Sequence, residues 1–111
     1  MYSVDEVDYD CPIEALSSIL GKKWIAAIIW NINNGKIRFG ELQRNIYGCS
    51  KKMLIQQLDI LIKNNIVLND KKIVNNTVES TYYLSESGIS LLPVMEEMIS
   101  WSKSNLECKD K

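Results

Sequence analysis

Histidine is absent from this 111-residue chain, and with it the side chain most often used for acid–base catalysis near neutral pH. The chain also has no glycine-rich phosphate loop and no pairing of serine with lysine that would activate a nucleophile. Glu96 and Glu97 are adjacent, so on a helix they point in different directions and do not form a carboxylate pair. These absences predict that the chain is not an enzyme and needs no cofactor.

Cysteines are few and widely spaced, at Cys11, Cys49 and Cys108. An odd number of cysteines fits a reducing compartment better than a disulfide framework. The spacing contains none of the short Cys-x-x-Cys pairs that build zinc sites, so we expect no metal ion.

Long apolar stretches are also missing. The longest, from Trp24 to Trp30, is far too short to span a bilayer, and the acidic N-terminus is unlike a signal peptide. We therefore expect a cytoplasmic protein without membrane association. The length allows one domain with a single core, to which a partner subunit could add stability.

The net charge is only −1, but the charges are unevenly distributed along the chain. Residues 1–21 contain five acidic side chains and no lysine or arginine, whereas residues 22–72 contain ten basic side chains against three acidic ones. Residues 73–111 are again acidic, with six acidic side chains against three lysines. A basic segment flanked by acidic ones is typical of a nucleic-acid-binding core. Chance clustering of surface charge in a short chain is the alternative.

The pattern of apolar positions, caps and turns predicts a definite order of elements. Helices are expected at 12–20, 22–32, 38–45, 50–64 and 85–101, and short strands at 66–68 and 80–84 joined by a long polar loop at 69–76. This order describes a mainly α fold with a small β-hairpin wing (α+β), namely a winged helix-turn-helix with an extra helix at each end. We expect one domain over residues 1–111, with residues 1–10 and 103–111 as flexible tails.

The helix expected at 50–64 has two different sides. Ser50 is suited to cap its N-terminus, and Leu54, Leu58 and Leu61 form a stripe that would face the core. The opposite side carries Lys51, Lys52, Ile55, Gln56 and Asp59. Cationic and amide groups on the first exposed turns suit a helix that enters a DNA major groove. An ordinary solvated helix with a serine cap is the alternative.

Six segments of the chain, taken in order, carry a family resemblance. They are Cys11-Pro12-Ile13-Glu14, Gly21-Lys22-Lys23-Trp24, Arg38-Phe39-Gly40-Glu41-Leu42, Ser50-Lys51-Lys52-Met53-Leu54 with Gln56-Gln57-Leu58, Tyr82-Tyr83-Leu84-Ser85 and Leu91-Leu92-Pro93-Val94. Together they resemble the HxlR family of bacterial winged-helix transcriptional regulators over residues 11–101. The resemblance implies a homodimer that binds a near-palindromic operator in double-stranded DNA, and we expect a repressor.

The resemblance also implies roles for individual side chains. The residues expected to contact DNA are Arg38 in the supporting helix, Ser50, Lys51, Lys52, Gln56 and Gln57 in the groove helix, and Lys71, Lys72, Asn75, Asn76 and Thr77 in the wing. The first and last helices are expected to pack across the two-fold axis through Ile13, Leu16, Met95, Met98, Ile99 and Trp101. Trp24, Trp30 and Trp101 could instead line a pocket for a small-molecule effector, although aromatic residues at helical spacing more often form plain core.

Three positions depart from the family pattern. Lys51 stands where members often have proline, and Asp59 stands where many have a basic residue. Members also often carry an arginine in the wing near the position that Glu79 occupies here. An acidic side chain in the wing would repel phosphate, which leaves the phosphate contacts there to Lys71 and Lys72. A winged-helix protein-interaction module that does not bind DNA therefore stays open as an alternative.

Cys11 opens a second alternative, a thiol-based redox sensor. It precedes a helix N-terminus, where the helix dipole favours thiolate, while Asp8, Asp10 and Glu14 oppose it. The resemblance implies that some members use a cysteine at this position to sense oxidants, in certain cases through a disulfide between subunits. Cys49 could be its redox partner. A small structural cysteine is the simpler interpretation.

Overall fold

The computed structural model of the protein describes residues 1–109. In this part of the chain the elements are β1 (Tyr2–Val4), β2 (Val7–Tyr9), α1 (Pro12–Leu20), α2 (Ile25–Ile32), β3 (Ile37–Arg38), α3 (Phe39–Asn45), α4 (Lys51–Lys63), β4 (Val67–Val74), β5 (Thr77–Leu84) and α5 (Glu86–Asn105). None of the helices in this part of the chain combines the length and the apolar character that a membrane span requires.

One hydrophobic core joins α2, α3 and α4 to a three-stranded antiparallel sheet of order β3-β5-β4. Ile25, Ile28 and Ile29 of α2 are fully buried and belong to the same cluster as Leu42 of α3 and Leu54 of α4. Burying each such side chain stabilises the fold by roughly 1.5–3 kcal/mol relative to leaving it exposed. The arrangement confirms the predicted fold class, a mainly α winged helix-turn-helix with an extra helix at each end.

Helices begin where the sequence supplies a suitable first residue. Pro12 is the first residue of α1. The Ser50 hydroxyl accepts a hydrogen bond from the backbone N–H of Met53 (3.1 Å), and the Ser85 hydroxyl accepts one from Gly88 (3.0 Å). These caps satisfy N–H groups that have no partner inside the first turn of a helix.

The start of α5 lies close against the connection between α4 and β4. The Ser85 hydroxyl donates to the Asn65 carbonyl (2.6 Å), and the Ser85 N–H donates to the Ile66 carbonyl (2.9 Å). Gly88 is buried in the same contact, where a Cβ would overlap the Ile66 carbonyl oxygen and lie 3.1 Å from the Leu84 side chain. Glycine therefore allows the close approach that fixes where α5 leaves the sheet.

The wing is longer than predicted and its turn is tighter. β4 and β5 pair along their whole length, and only Asn75 and Asn76 remain between them, with φ of 50° and 64°. Both values lie in the left-handed region, which asparagine tolerates and which a two-residue hairpin turn requires. The long loop predicted at 69–76 is therefore wrong, because most of its polar residues belong to a strand in the outer, solvent-facing part of the wing.

Residues 1–10 form a hairpin, so the prediction of a flexible N-terminal tail is wrong. β1 pairs with β2 through a turn at Asp5 and Glu6, which have φ of 49° and 67°. The hairpin contacts α1 and buries Val4. Its turn lacks the Asn-Gly or Asp-Gly pair that usually signals such a hairpin.

Two helix boundaries also differ from the prediction. α2 begins at Ile25 rather than at Lys22, because Trp24 has φ of 78°, outside helical geometry. α5 continues to Asn105, so the helix includes the first residues of the tail predicted at 103–111. The last two residues of that tail lie outside the described part of the chain.

Candidate nucleic-acid interface

α3 and α4 form the helix-turn-helix, and α4 presents a polar side to solvent. Leu54, Leu58 and Leu61 are buried, as their spacing predicts. The exposed residues of its first turns are Lys51, Lys52, Met53, Ile55, Gln56 and Asp59. Ser50 is exposed too, and its hydroxyl caps the N–H of Met53. The other backbone N–H groups of the first turn have no partner inside the helix and lie beside the two lysines. The N-terminal half of α4 therefore carries positive charge, amide groups and backbone donors on one surface.

Gln57 is predicted to contact DNA, and that contact stays a prediction, but its side-chain oxygen is withdrawn from the surface. It is half-buried, and its side-chain carbonyl oxygen is enclosed without a hydrogen-bond partner among residues 1–109. Gln57 follows Leu54 by three residues and precedes Leu61 by four, so it lies next to the buried stripe of α4. That neighbourhood turns the oxygen toward the protein, where a base edge cannot reach it.

One face of the wing, the inner wing face of Lys71, Val78 and Ser80, turns toward α4. Directly opposite residues of paired strands point to the same side, and Lys71 pairs with Ser80. Val78 and Ser80 line a cavity of about 230 Å³ together with Lys51 and Ile55. The fold thereby brings Lys71 to the same side of the molecule as the first turns of α4.

The floor of this cavity is aromatic. The rings of Phe39 and Tyr82 lie with their centroids 6.3 Å apart and their planes tilted by 54°. Burial raises the pKa of the Tyr82 hydroxyl; a hydrogen bond with Ser80 opposes this and the charge of Asp59 adds to it. The hydroxyl therefore stays neutral at physiological pH and adds no negative charge beside α4.

The opposite face of the same sheet, the outer wing face, carries Lys36, Arg38, Asp70, Lys72 and Glu79 around one cavity. Arg38 Nη2 lies 2.7 Å from Glu79 Oε1, and Lys36 Nζ lies 3.7 Å from Asp70 Oδ2. Arg38 and Lys72 are both predicted to contact DNA, but they lie on the sheet face that points away from α4. The structure therefore separates them from the lysines of α4 and of the inner wing face.

The tip of the wing is exposed and uncharged. Asn75, Asn76 and Thr77 all face solvent, and the Thr77 hydroxyl donates to the Asn75 carbonyl (3.5 Å). Ile73 and Val78, which pair just below the turn, are 78% and 62% exposed. The tip thus presents amide groups flanked by apolar side chains, and the predicted DNA contact of its three polar residues stays a prediction.

A second exposed surface lies between α1 and α5, and its lining shares no residue with the two cavities of the wing faces. The two helices leave an apolar groove of about 610 Å³, whose lining includes Ile13, Leu16, Leu20, Val94 and Met98. The exposed residues among those predicted for a dimer interface are Ile13, Met98, Ile99 and Trp101. Leu16 is half-buried. Met95 corrects the prediction, because it is only 5% exposed and belongs to the core of the monomer.

The cysteines occupy different environments. Cys11 is the half-buried residue just before α1, and its side chain makes no capping hydrogen bond. Cys49 is buried before α4, with Sγ 3.7 Å from the Ser50 carbonyl oxygen, and burial raises the pKa of its thiol. This corrects the predicted redox role of Cys49, because an enclosed, protonated thiol reacts slowly. Cys108 is exposed beyond α5. Residues 1–109 contain no cluster of three or more acidic or cysteine side chains that is placed to hold a metal ion.

Tyr47 is a further exposed residue of the helix-turn-helix, and no motif in the sequence assigns it a contact with DNA. It lies in the turn between α3 and α4 and is 96% exposed. The next residue, Gly48, has φ of 87°, and a Cβ there would lie 3.4 Å from the Trp24 ring. A Tyr-Gly pair signals the turn, but the exposure of the tyrosine ring is seen only in the folded structure. Its hydroxyl could donate to a phosphate beside α4.

Known proteins share this fold and much of this sequence. The model of the HxlR-like helix-turn-helix family matches residues 19–110. The regulatory protein MalR of Fusobacterium mortiferum is 34% identical over 98 residues, which cover 87% of this chain and 92% of MalR. The HTH-type transcriptional regulator YodB of Bacillus subtilis is 36% identical over 102 residues, which cover 90% of this chain and 89% of YodB.

Solved structures agree with these sequence matches. The reduced form of YodB superimposes with a TM-score of 0.76 over 92% of this chain and 100% of YodB, at 36% identity. YodB is also known in diamide-treated and quinone-bound forms. The redox regulator HypR in its oxidised form matches with a TM-score of 0.78 over 88% of this chain and 100% of HypR, at 30% identity. Together with the helix-turn-helix and its wing, these matches identify the chain as a member of the HxlR-like helix-turn-helix family of transcriptional regulators.

Proposed function

We propose that this protein is a homodimeric cytoplasmic repressor that binds operator DNA through α4 and the wing. The observation that carries the proposal is the exposed surface of Lys51, Lys52 and Gln56 at the capped end of α4. Lysines on such a surface can hold phosphates, while the Gln56 amide both donates and accepts and so suits an adenine edge in the major groove.

The inner wing face and the wing tip extend this surface. Lys71 lies on the same side as α4 and supplies a further phosphate contact. The amides of Asn75 and Asn76 project from the tip, where their N–H₂ groups can donate to the acceptors that A·T pairs expose in the minor groove. One subunit would therefore span a major groove and the edge of the adjacent minor groove.

The apolar groove between α1 and α5 supports the homodimer. Ile13 is 75% exposed and Trp101 is 60% exposed, on the two helices whose apolar surfaces meet solvent. A second copy can cover both helices at once, because a two-fold interface joins the same patch on each subunit. The two α4 helices would then lie about one DNA turn (~34 Å) apart, which corresponds to a near-palindromic operator.

Selection from a random duplex library tests the proposal, with fluorescence anisotropy of the selected duplex at two salt concentrations and a scrambled duplex as control. We expect a near-palindromic consensus and an affinity that falls by roughly one log unit per log unit of salt for each phosphate neutralised. Should no sequence be enriched at either salt concentration, the proposal is wrong and a protein-interaction module that does not bind DNA is favoured.

A thiol-based redox regulator is a second candidate, and Cys11 carries it. Cys11 is half-buried beside Pro12 and Ile13, which line the groove proposed as the dimer interface. Among the similar proteins, HypR is a redox regulator and YodB has a diamide-treated form. Two Cys11 thiols, one from each subunit, would lose two electrons and two protons to diamide, forming one disulfide and the corresponding hydrazine.

Operator binding with and without diamide separates the two candidates. We expect a redox regulator to change its operator affinity after diamide treatment, and the Cys49→Ser protein to behave in the same way. The Cys11→Ser protein should not respond. A response in Cys11→Ser equal to that of the parent would remove this candidate and leave a repressor with an unidentified effector.

A further inference from the structure

The outer wing face neutralises its own cations. Arg38 Nη2 and Glu79 Oε1 are 2.7 Å apart, the distance of a charge-assisted hydrogen bond. Arg38 is paired with Thr81 in the sheet, and Glu79 lies two residues before Thr81 in β5, the diagonal position that a long side chain can reach. The Arg38 side chain is 68% exposed, so the contact is made at the surface, where DNA could otherwise take it.

Glu79 also faces a second cation. β5 is the central strand of the sheet, and Glu79 is directly opposite Lys72 of β4. Opposite residues have their Cβ atoms about 4.5–5.5 Å apart, so the carboxylate lies between Arg38 on one side and Lys72 on the other. The second acidic residue of this face, Asp70, is paired with Lys36. Each carboxylate of the outer wing face thus has a cation beside it.

The inner wing face and α4 are different. Within residues 1–109, the ion pairs involve Lys22, Lys36 and Arg38. None involves Lys51, Lys52 or Lys71, and none involves Lys72, which is opposite Glu79 in the strand register without forming an ion pair. The cations on the side of α4 are therefore available to phosphate without losing a carboxylate partner. At Arg38, in contrast, a phosphate has to displace Glu79 first.

We propose that Glu79 is an internal competitor for DNA phosphate that holds Arg38 and so lowers the sequence-independent part of the protein's affinity for DNA. The inference rests on the proposed function, since a competitor for phosphate has a role only in a protein that binds DNA. Because backbone phosphates are present on every sequence, cations held away from them reduce binding to all DNA, whereas base contacts by α4 are unaffected.

The test measures the affinity of a short non-operator duplex over a range of salt concentrations. In Glu79→Gln the amide keeps the shape of the side chain but not its charge, so we expect binding about tenfold tighter and a salt slope steeper by about one. Arg38→Gln should change little in the parent protein, yet should reverse most of the gain when combined with Glu79→Gln. Glu107→Gln, an exposed residue outside the helices and strands, makes the same change in net charge and should leave the slope unaltered.

Three results would overturn the proposal. The first is an unchanged salt slope in Glu79→Gln while the parent still selects its operator, which leaves the proposed function intact. The second is an equal gain in Glu79→Gln and Glu107→Gln, which would assign the effect to overall charge. The third is no DNA binding by either the parent or Glu79→Gln, which would overturn the proposed function as well. Thermal unfolding of each variant verifies that all of them are folded in the titrations.

Discussion

Asp5 joins the N-terminal hairpin to the far end of the groove helix through Asn64. The Asn64 Nδ2 atom donates to Asp5 Oδ1 (3.3 Å) and also to the carbonyl of Ile60 in the last turn of α4 (2.8 Å). Asp5 Oδ2 lies 3.3 Å from Lys22 Nζ, between α1 and α2. Burial alone would raise the pKa of Asp5, but the bonds from Lys22 and Asn64 and the charges of Lys22 and Lys63 lower it below its ordinary value of 3.8. The hairpin thereby holds α4 at the end opposite to the proposed DNA contacts.

Replacing Asp5 is expected to destabilise the fold in a pH-dependent way. Asp5→Ala removes two partly exposed hydrogen bonds, and we expect a loss of about 0.5–1 kcal/mol in the free energy of unfolding near pH 7. Because the folded pKa is lowered, the stabilisation is complete above the unfolded value of 3.8 and is lost as the pH falls through the lower folded value. Urea unfolding at pH 7, 4.5 and 3 measures this difference.

Asp5→Asn serves as its control. The amide oxygen can still accept from Asn64, so part of the stabilisation should remain, but the pH dependence should disappear. A difference between the parent and Asp5→Asn that stays constant from pH 7 to pH 3 would show that the carboxylate charge has no role.

Gly88 should not tolerate a side chain. In Gly88→Ala the added Cβ meets the backbone carbonyl of Ile66, which cannot move without disturbing the start of α5. We expect a loss of about 1–3 kcal/mol in the free energy of unfolding. Gly35→Ala is the matched control, because a Cβ at Gly35 has no atom within 4 Å. Chemical unfolding of the two variants should therefore differ clearly, and equal stabilities would contradict the packing described.

A charge on α1 should separate the subunits, whereas the same charge on the wing should not. Ile13 and Ile73 are exposed to similar extents, 75% and 78%. Ile13 lies in the groove between α1 and α5, whereas Ile73 lies near the tip of the wing. We expect Ile13→Glu to sediment as a monomer in analytical ultracentrifugation, because the carboxylate would be buried in the proposed interface. Ile73→Glu should remain a dimer. A dimer of Ile13→Glu as stable as that of Ile73→Glu would move the interface away from α1.

The thiols of Cys11 and Cys49 should react with an alkylating reagent at different rates. Cys49 is 7% exposed and burial raises the pKa of its thiol, whereas Cys11 is half-buried at a helix N-terminus. We expect iodoacetamide to label Cys11 in the native protein well before Cys49, and to label both equally in urea. Peptide mass spectrometry over a time course follows each site. Comparable native rates would mean that the turn before α4 opens readily.

Local sequence signals predicted the helices because the signals act within one turn of the residues that carry them. Pro12, Ser50 and Ser85 each mark a helix start, and all three helices begin there in the structure. The turns at Asp5 and Asn75 were not predicted as tight hairpins, because neither contains the glycine that usually signals positive φ. The apolar residues predict strands only at 66–68 and 80–84, whereas backbone pairing continues the two strands to Val74 and back to Thr77.

The DNA-binding side of α4 could be predicted from helical spacing, but the individual roles around it could not. Gln57 and Met95 are drawn inward by neighbours that only the packed fold reveals. Arg38 and Glu79 are far apart in the chain, and their pairing depends on the register between β3 and β5. Strand register likewise decides which face of the wing a lysine occupies. The register becomes known only when the pairing of the two strands is known, and the sequence alone does not give that pairing.

The decisive experiment compares three substitutions in anisotropy titrations against the selected operator and a scrambled duplex. We expect Gln56→Ala to lose operator affinity by about tenfold with little change on the scrambled duplex, because one base contact is removed. Lys52→Gln should weaken both and reduce the salt slope by about one, while Lys109→Gln, with the same charge change outside the elements, should alter neither. If all three variants bind both duplexes as the parent does, α4 does not contact DNA and the proposed function is wrong.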